Sequence, residues 1–228
     1  TTRQLAVELP RRAVCRGLDL ELQPGETLVI LGRNGAGKST HIESVRAFLA
    51  ARGKSVVMTR EPGGTDLGEA IRGLFLGRTM SPASEALLVF AARREHLERV
   101  VWPALERGDW VLCDRFTDAT FAYQGGGREM GFDRIQVLAD WVHPGFAPDL
   151  TLLFDLPPDA AHDRVAHRGE LDRIESEVSD FHVRVRDAYL RRAEAEPDRI
   201  KVLSSDQSKE TVRSRVLACA MQLLGSAE

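Results

Sequence analysis

The chain has 228 residues, of which 43% are hydrophobic and 29% charged, so it is long enough for one sizeable domain with a full core. Its formal net charge of −3 argues against a general nucleic-acid-binding or membrane-binding surface. Cys15, Cys113 and Cys219 are isolated and lack metal-ligand spacing, which favours reduced thiols and a cytoplasmic location. We expect no signal peptide and no membrane-spanning segment.

The first predicted elements are a strand and the helix that follows it. Residues 27–31 are a short apolar run that predicts a buried strand, and residues 40–52 predict a helix. The apolar residues at helical spacing on one face of this helix are Ile42, Val45, Phe48 and Leu49.

The next stretch continues the alternation. Residues 54–59 predict a second strand, and residues 67–76 predict an amphipathic helix. A long helical region is expected over residues 84–106, bent or broken near its end by Pro103. The residues expected to face inward from the amphipathic helix are Leu67, Ala70, Ile71, Leu74 and Phe75.

The second half supplies further apolar strands and a terminal helix. Strands are predicted at residues 110–113, 150–154 and, more weakly, 199–203, and the last helix over residues 209–224. Short, continuously apolar strands separated by helices indicate an α/β fold with a parallel sheet covered on both faces. Ligands of such folds bind at the carboxyl ends of the strands.

A phosphate-binding loop joins the first strand to the first helix. Residues 32–39 match the pattern G-x-x-x-x-G-K-[ST], in which backbone N–H groups and a helix N-terminus surround one anion site. Lys38 would approach the β- and γ-phosphates of ATP, and the Ser39 hydroxyl would bind Mg²⁺. The residues predicted to hold the nucleotide are Gly32, Arg33, Asn34, Gly35, Ala36, Gly37, Lys38, Ser39 and Thr40.

Polar residues follow the second and third strands at the same predicted edge of the sheet. Asp114 is placed like a Walker-B acid that supports the metal, although capping the strand and pairing with Arg115 is the alternative. A second, anionic substrate is expected to bind among arginines, because the planar guanidinium binds phosphate oxygens bidentately. These arginines are Arg60, Arg72, Arg93 and Arg115.

From about residue 27 onward the chain resembles the bacterial thymidylate kinases. The matching segments are GAGKST, TREPGGT, FAARREH, DRF, AYQGGGR and the lid-like RGELDRIE at residues 168–175. The resemblance implies a P-loop kinase that transfers the γ-phosphoryl of ATP to dTMP with Mg²⁺. It also implies a homodimer built on a five-stranded parallel sheet with helices on both faces.

The resemblance assigns roles to individual residues. Arg72 and Arg115 would reach the dTMP phosphate, Arg93 would hydrogen-bond the thymine ring, and Tyr123 would lie under the sugar. Thr120 and Gln124 would lie beside the base, and Glu61 falls in the segment that closes over the monophosphate. The residues expected to act in catalysis are Lys38, Asp114, Arg115, Arg168 and Arg173, the last two from the lid.

The chain departs from the family at two places. The family motif F-E-G-x-[DE]-G is replaced by residues 30–35, so Leu31 and Asn34 stand where acids are usual. Asn34 can still bond a sugar hydroxyl but loses the charge-assisted part, about 1–2 kcal/mol. The aromatic residue expected four positions before Arg93 is Val89, so base stacking would use its neighbour Phe90.

Residues 1–40 resemble instead the opening of an ABC-transporter ATPase, and the two resemblances meet within GAGKST. We therefore divide the chain into an extension at residues 1–26 and a nucleoside monophosphate kinase domain at residues 27–228. Alternating Leu18, Leu20 and Leu22 suggest an extra edge strand or hairpin, with a poorly docked extension as the alternative. The rival functions are an ABC-type ATPase, disfavoured by the lack of an LSGGQ-like signature, and a nucleotide-binding protein with weakened catalysis.

Overall fold

The computed structural model describes residues 27–32, 38–157 and 173–225. The predicted N-terminal extension, most of the phosphate-binding loop and Arg168 lie outside these residues. None of the helices in the described ranges combines the length and apolar character needed to cross a membrane.

Five parallel strands form one sheet in the described residues. Their order across the sheet is β2-β3-β1-β4-β5. The predicted strand positions are confirmed to within about two residues. The central strands β3 and β4 are largely apolar and buried, whereas the outer strands β2 and β5 are partly exposed. The strands are β1 Thr27–Gly32, β2 Val56–Arg60, β3 Trp110–Asp114, β4 Leu150–Asp155 and β5 Ile200–Ser204.

Helices cover both faces of the sheet, as the apolar strands predict. Two π-helical segments, Leu97–Val101 and Phe121–Gly127, interrupt the α-helical pattern. The α-helices are α1 Lys38–Ala50, α2 Asp66–Gly77, α3 Pro82–His96, α4 Trp102–Glu106, α5 Thr117–Thr120, α6 Phe132–Val142, α7 Ser179–Ala195 and α8 Lys209–Gly225.

The hydrophobic core is divided by the sheet. On one face Val111 and Cys113 of β3 pack with side chains of α3, α5 and α7. On the other face Trp110 and Leu112 of the same strand pack with α1 and α8. Successive side chains of a strand point to opposite faces, so one apolar strand contributes to both core layers.

Two helix predictions need correction. In α2, Ile71 and Phe75 are buried as expected, but Leu67 and Leu74 are about half exposed, at 51% and 48%, and Ala70 is exposed as well. The long helix is also divided earlier than predicted. Pro103 lies in the first turn of α4, where its missing N–H costs nothing, and the wide π-turn at residues 97–101 precedes it.

The glycine-rich segment Phe121–Gly127 is a largely buried π-helix. A Cβ at Gly126 would lie 2.5 Å from Cβ of Ala188, and one at Gly127 would lie 2.6 Å from the ring of Phe181. The glycines therefore let α7 approach the π-helix closely. The sequence reasoning did not identify this helix, nor α5, α6 and α7.

Candidate active site

The carboxyl ends of β1, β2 and β3 meet at one edge of the sheet. Arg60, the last residue of β2, is paired in register with Asp114, the last residue of β3, and Asp114 lies beside Ile30 of β1. The backbone N–H of Glu61 then donates to the carbonyl of Asp114 at 2.9 Å. The predicted polar clusters are thus brought together.

The phosphate-binding loop leaves β1 at this edge. Residues 33–37 lie outside the described ranges, so the contacts predicted for Arg33, Asn34, Gly35, Ala36 and Gly37 remain predictions. Helix α1 begins at Lys38, whose side chain is 6% exposed, and Ser39 and Thr40 belong to its first turn. A helix N-terminus at the end of β1 provides the positive end of a dipole for an anion.

The surroundings of Asp114 fit a carboxylate that binds a ligand. Its Oδ1 atom is buried and has no hydrogen-bond partner among the described residues. A buried carboxylate oxygen is normally satisfied, so this atom fits a water or a hydrated cation. Arg115, the next residue, has a left-handed backbone with φ of 74°, an unfavourable conformation that occurs at functional sites.

Three arginines gather near Asp114. The pKa of Arg72 is lowered, first by burial and then by the positive charges of Arg60 and Arg115. Arg72 donates from Nη1 to the carbonyl of Pro62 at 3.1 Å, and the guanidinium of Arg115 lies over the ring of Tyr123 at 5.4 Å. Mutually repelling cations are stabilised by an anion, so this arginine cluster suits a phosphate group.

Arg93 is the most deeply buried arginine of the site, at 1% exposed. Its Nε donates to Oε2 of Glu61 at 2.7 Å, and its Nη2 donates to Oγ1 of Thr120 at 2.9 Å. Its Nη1 is buried without a partner in the described part of the chain. An unsatisfied buried donor costs about 1–3 kcal/mol, so a ligand acceptor that reached this N–H would be stabilised by it.

Aromatic rings fix the plane of this guanidinium. The Cζ atom of Arg93 lies 4.7 Å from the ring centre of Phe90 and 5.1 Å from that of Phe116. Phe90 is only 2% exposed and also packs against Phe121. The predicted stacking of Phe90 on a base remains a prediction, but one face of its ring already supports Arg93.

Glu61 is 2% exposed and its two carboxylate oxygens are both bonded, one by Arg93 and the other by Nδ1 of His96 at 2.9 Å. Burial alone would raise the pKa of Glu61, but the charge of Arg93 and the hydrogen bond from His96 lower it below its ordinary value. Glu61 is therefore ionised, and its carboxylate accepts the hydrogen bond that fixes the guanidinium of Arg93. The sequence reasoning missed His96, although it lies one helical turn after Arg93 on α3.

Glu85 is a second missed residue, and it binds three side chains from two of the predicted segments, AYQGGGR and RGELDRIE. It is 1% exposed and accepts hydrogen bonds from Nε2 of Gln124 at 3.2 Å, Nε of Arg128 at 3.2 Å and Nη1 of Arg173 at 2.7 Å. Arg173 also donates to the carbonyl of Phe75 at 3.0 Å. In this arrangement Arg173 is held at the base of the lid-like segment, and its catalytic role stays a prediction.

A five-stranded parallel sheet with a glycine-rich loop after its central strand and arginines at the strand ends is the architecture of a P-loop kinase. A family model described as Thymidylate kinase matches residues 30–216. The chain belongs to the thymidylate kinase family.

Individual relatives agree with this assignment. The chain is 52% identical over 193 residues to the thymidylate kinase of Thiobacillus denitrificans, covering 85% of this chain and 95% of the relative. It is 53% identical over 194 residues to that of Cupriavidus necator, covering 84% and 96%. The crystal structure of thymidylate kinase from Ehrlichia chaffeensis is similar with a TM-score of 0.70 and 32% identity, over 87% of this chain and 99% of that one.

Proposed function

We propose that this protein transfers the γ-phosphoryl group of ATP to dTMP, giving dTDP. The observation that carries the proposal is the division of the site into two ends. The arginine cluster of Arg60, Arg72 and Arg115 suits a phosphate. The buried Arg93, whose Nη1 has no partner among the residues that the structure describes, suits a base.

At the phosphate end, we assign Arg72 and Arg115 to the phosphate of dTMP. That phosphate is already an anion, so it needs no strong base to attack the γ-phosphorus of ATP. Charge neutralisation and alignment of the two phosphates are what the protein must supply. The arginines provide both, because their positions are fixed by the carbonyl of Pro62 and by the ring of Tyr123.

At the base end, we assign Arg93 to recognition of the base. A guanidinium only donates hydrogen bonds, so Nη1 matches the C4 carbonyl of thymine and not the C4 amino group of cytosine. Thr120 orients the guanidinium through Nη2, and we assign Glu61 to holding Arg93 rather than to touching the nucleotide. Tyr123 remains our candidate for the residue that lies under the sugar. Gln124 remains our candidate for a residue that lies beside the base.

ATP is assigned to the phosphate-binding loop, residues 32–40, with Lys38 at the β- and γ-phosphates. The buried Oδ1 of Asp114, which has no partner in the described ranges, fits the hydration shell of Mg²⁺, and Ser39 would supply a direct ligand. When bound, Mg²⁺ neutralises phosphate charge. Arg168 is our candidate for an arginine finger, with Arg173 anchoring the same segment to Glu85.

We also propose a homodimer. Helices α2, α3 and α6 adjoin one another and leave large apolar side chains exposed, which is unusual unless a partner covers them. These side chains are Leu67 and Leu74 of α2, Leu87 of α3, and Val137 and Trp141 of α6. The test is analytical ultracentrifugation of the wild type and of Trp141→Glu, which should shift the protein toward monomer.

Residues 1–26 are proposed as an extension that precedes a kinase domain at residues 27–228, with the ABC-ATPase likeness confined to the extension and the loop. The free thiols of Cys113 and Cys219 are consistent with a cytoplasmic location, which we propose as well.

The proposal is tested by following labelled γ-phosphate from ATP into dTDP, for the wild type and for Lys38→Met. We expect transfer that requires dTMP and Mg²⁺ and falls by orders of magnitude in the variant. Label released as inorganic phosphate without dTMP would favour an ATPase. ATP binding with no transfer would favour the catalytically weakened protein that Leu31 and Asn34 leave open.

A further inference from the structure

A chain of polar side chains runs from β2 to α5 past the guanidinium of Arg93, and all of its members are buried except Thr59, which is half-buried. Oγ1 of Thr59 lies 2.6 Å from Nε2 of His96, and Nδ1 of His96 lies 2.9 Å from Oε1 of Glu61. Glu61 accepts from Arg93, which donates in turn to Thr120. His96 is completely buried, at 0% exposed, and the proposed reaction does not yet use it.

The chemistry of Glu61 determines where the protons lie. Its carboxylate is ionised and accepts hydrogen bonds only, so Nδ1 of His96 must carry the hydrogen that lies between them. His96 therefore holds Oε1, and Oε2 is left for Nε of Arg93. The two donors lie three residues apart on α3, so they grip one carboxylate from successive turns of the same helix.

The same residues connect the two ends of the nucleotide site. Glu61 is followed directly by Pro62, whose carbonyl accepts from Arg72 of the phosphate end. Gly64 packs against the far side of the imidazole, where an added Cβ would lie 2.7 Å from Cδ2 of His96. A shift of His96 would therefore move the segment that touches both Arg72 and Arg93.

We propose that His96 is a positioning residue for base recognition: by donating from Nδ1 to Glu61 it fixes the carboxylate, which in turn holds Arg93 with Nη1 available for the base. This inference rests on the proposed function, because it takes Arg93 as the residue that reads the nucleotide. His96 itself does not contact the substrate.

Two substitutions separate the two sides of the imidazole. His96→Asn places an amide N–H near the position of Nδ1 and keeps the donor to Glu61. His96→Gln places its amide near Nε2, facing Thr59, and removes that donor. Both are smaller and more flexible than histidine, so each serves as the control for the packing loss in the other, which urea unfolding measures directly.

The measurements are kcat and KM for dTMP and for dCMP, together with the Kd for dTMP by calorimetry without ATP. For His96→Gln we expect KM and Kd for dTMP to rise about tenfold, the effect of losing one well-placed hydrogen bond, with kcat nearly unchanged. The ratio of kcat/KM for dTMP to kcat/KM for dCMP should fall by a similar factor. His96→Asn should restore most of the affinity and preference.

The inference would be overturned if both variants lost the preference for dTMP over dCMP equally, or if neither lost it. The imidazole would then contribute to packing only, and its donor to Glu61 would not matter for base recognition. In that event a wild type that still phosphorylates dTMP leaves the proposed function standing. A wild type that neither binds nor phosphorylates dTMP refutes the proposed function, and the role of His96 with it.

Discussion

Replacing Glu61 by glutamine removes the charge of a carboxylate that is 2% exposed and leaves the guanidinium of Arg93, 1% exposed, without its counter-ion. Breaking a buried ion pair by removing one partner costs about 3–5 kcal/mol. We place Glu61→Gln near the lower limit, at about 3 kcal/mol, because the amide keeps the shape of the side chain and one acceptor oxygen for Arg93. The total stability of a domain is only about 5–15 kcal/mol, so this loss is large.

The chain offers a control pair nearby, between the end of β2 and helix α2. Glu69 pairs with Arg60 at 2.9 Å, but their side chains are 43% and 54% exposed. Solvent screens this pair, so Glu69→Gln should cost less than about 1 kcal/mol. Urea unfolding of the wild type and the two variants at pH 7 compares a buried Arg–Glu pair with an exposed one.

The two variants should also differ in activity. Glu61→Gln releases Arg93, so the KM for dTMP should rise and the preference for dTMP over dCMP should weaken. Glu69→Gln affects only Arg60 at the phosphate end, so it should leave that preference unchanged. A cost for Glu61→Gln no larger than that for Glu69→Gln would show that Arg93 does not depend on this carboxylate. The account of the base end of the site would then be refuted.

Three further outcomes are expected. Gly64 has φ of +79°, and a Cβ there would lie 2.6 Å from Oγ1 of Thr59. Gly64→Ala should therefore lower the free energy of unfolding in urea by at least about 1 kcal/mol. The control is Gly73→Ala, which has open space around it and should not lower the free energy of unfolding. Burial, then the charge of Arg93, lowers the pKa of His143 from 6.5 to about 4. As the pH falls, His143 is therefore protonated in the unfolded state before it is protonated in the folded state. The free energy of unfolding should fall by up to about 1.4 kcal/mol per pH unit as the pH drops from 6.5 toward 4. A difference between wild type and His143→Gln that is constant with pH would contradict this. Asn34→Asp should lower the KM for dTMP, and an unchanged or higher KM would remove Asn34 from the sugar site.

The strands and the strand-end clusters were predictable because their signals are local. The strands contain short apolar runs, and parallel strands bring their carboxyl ends to one edge of the sheet, so a polar cluster containing Arg60 and Asp114 could be expected from the sequence. The glycine-rich segment 121–127 was not predictable as a helix, because three successive glycines have low helix propensity. The close packing of α7 explains Gly126 and Gly127, and that contact joins residues far apart in the chain, whereas Gly125 faces Phe132 of α6.

The network behind Arg93 was also beyond the sequence. A glutamate in TREPGGT can face the substrate or the core, and only the positions of Arg93 and His96 show that Glu61 faces the core. Similarly, the helical spacing of Leu67 and Leu74 identifies an apolar face but not what covers it. In the isolated chain that face is exposed.

The most direct test of the account is ADP formation from Mg²⁺-ATP with dTMP, dUMP, dCMP, dGMP, dAMP or no monophosphate, measured for the wild type and for Arg93→Ala. We predict fast turnover with dTMP, little with dCMP, background without a monophosphate, and a reduced dTMP-to-dCMP ratio in the variant. Turnover that does not depend on a monophosphate, or a ratio that Arg93→Ala leaves unchanged, would contradict the assignment of this site to dTMP.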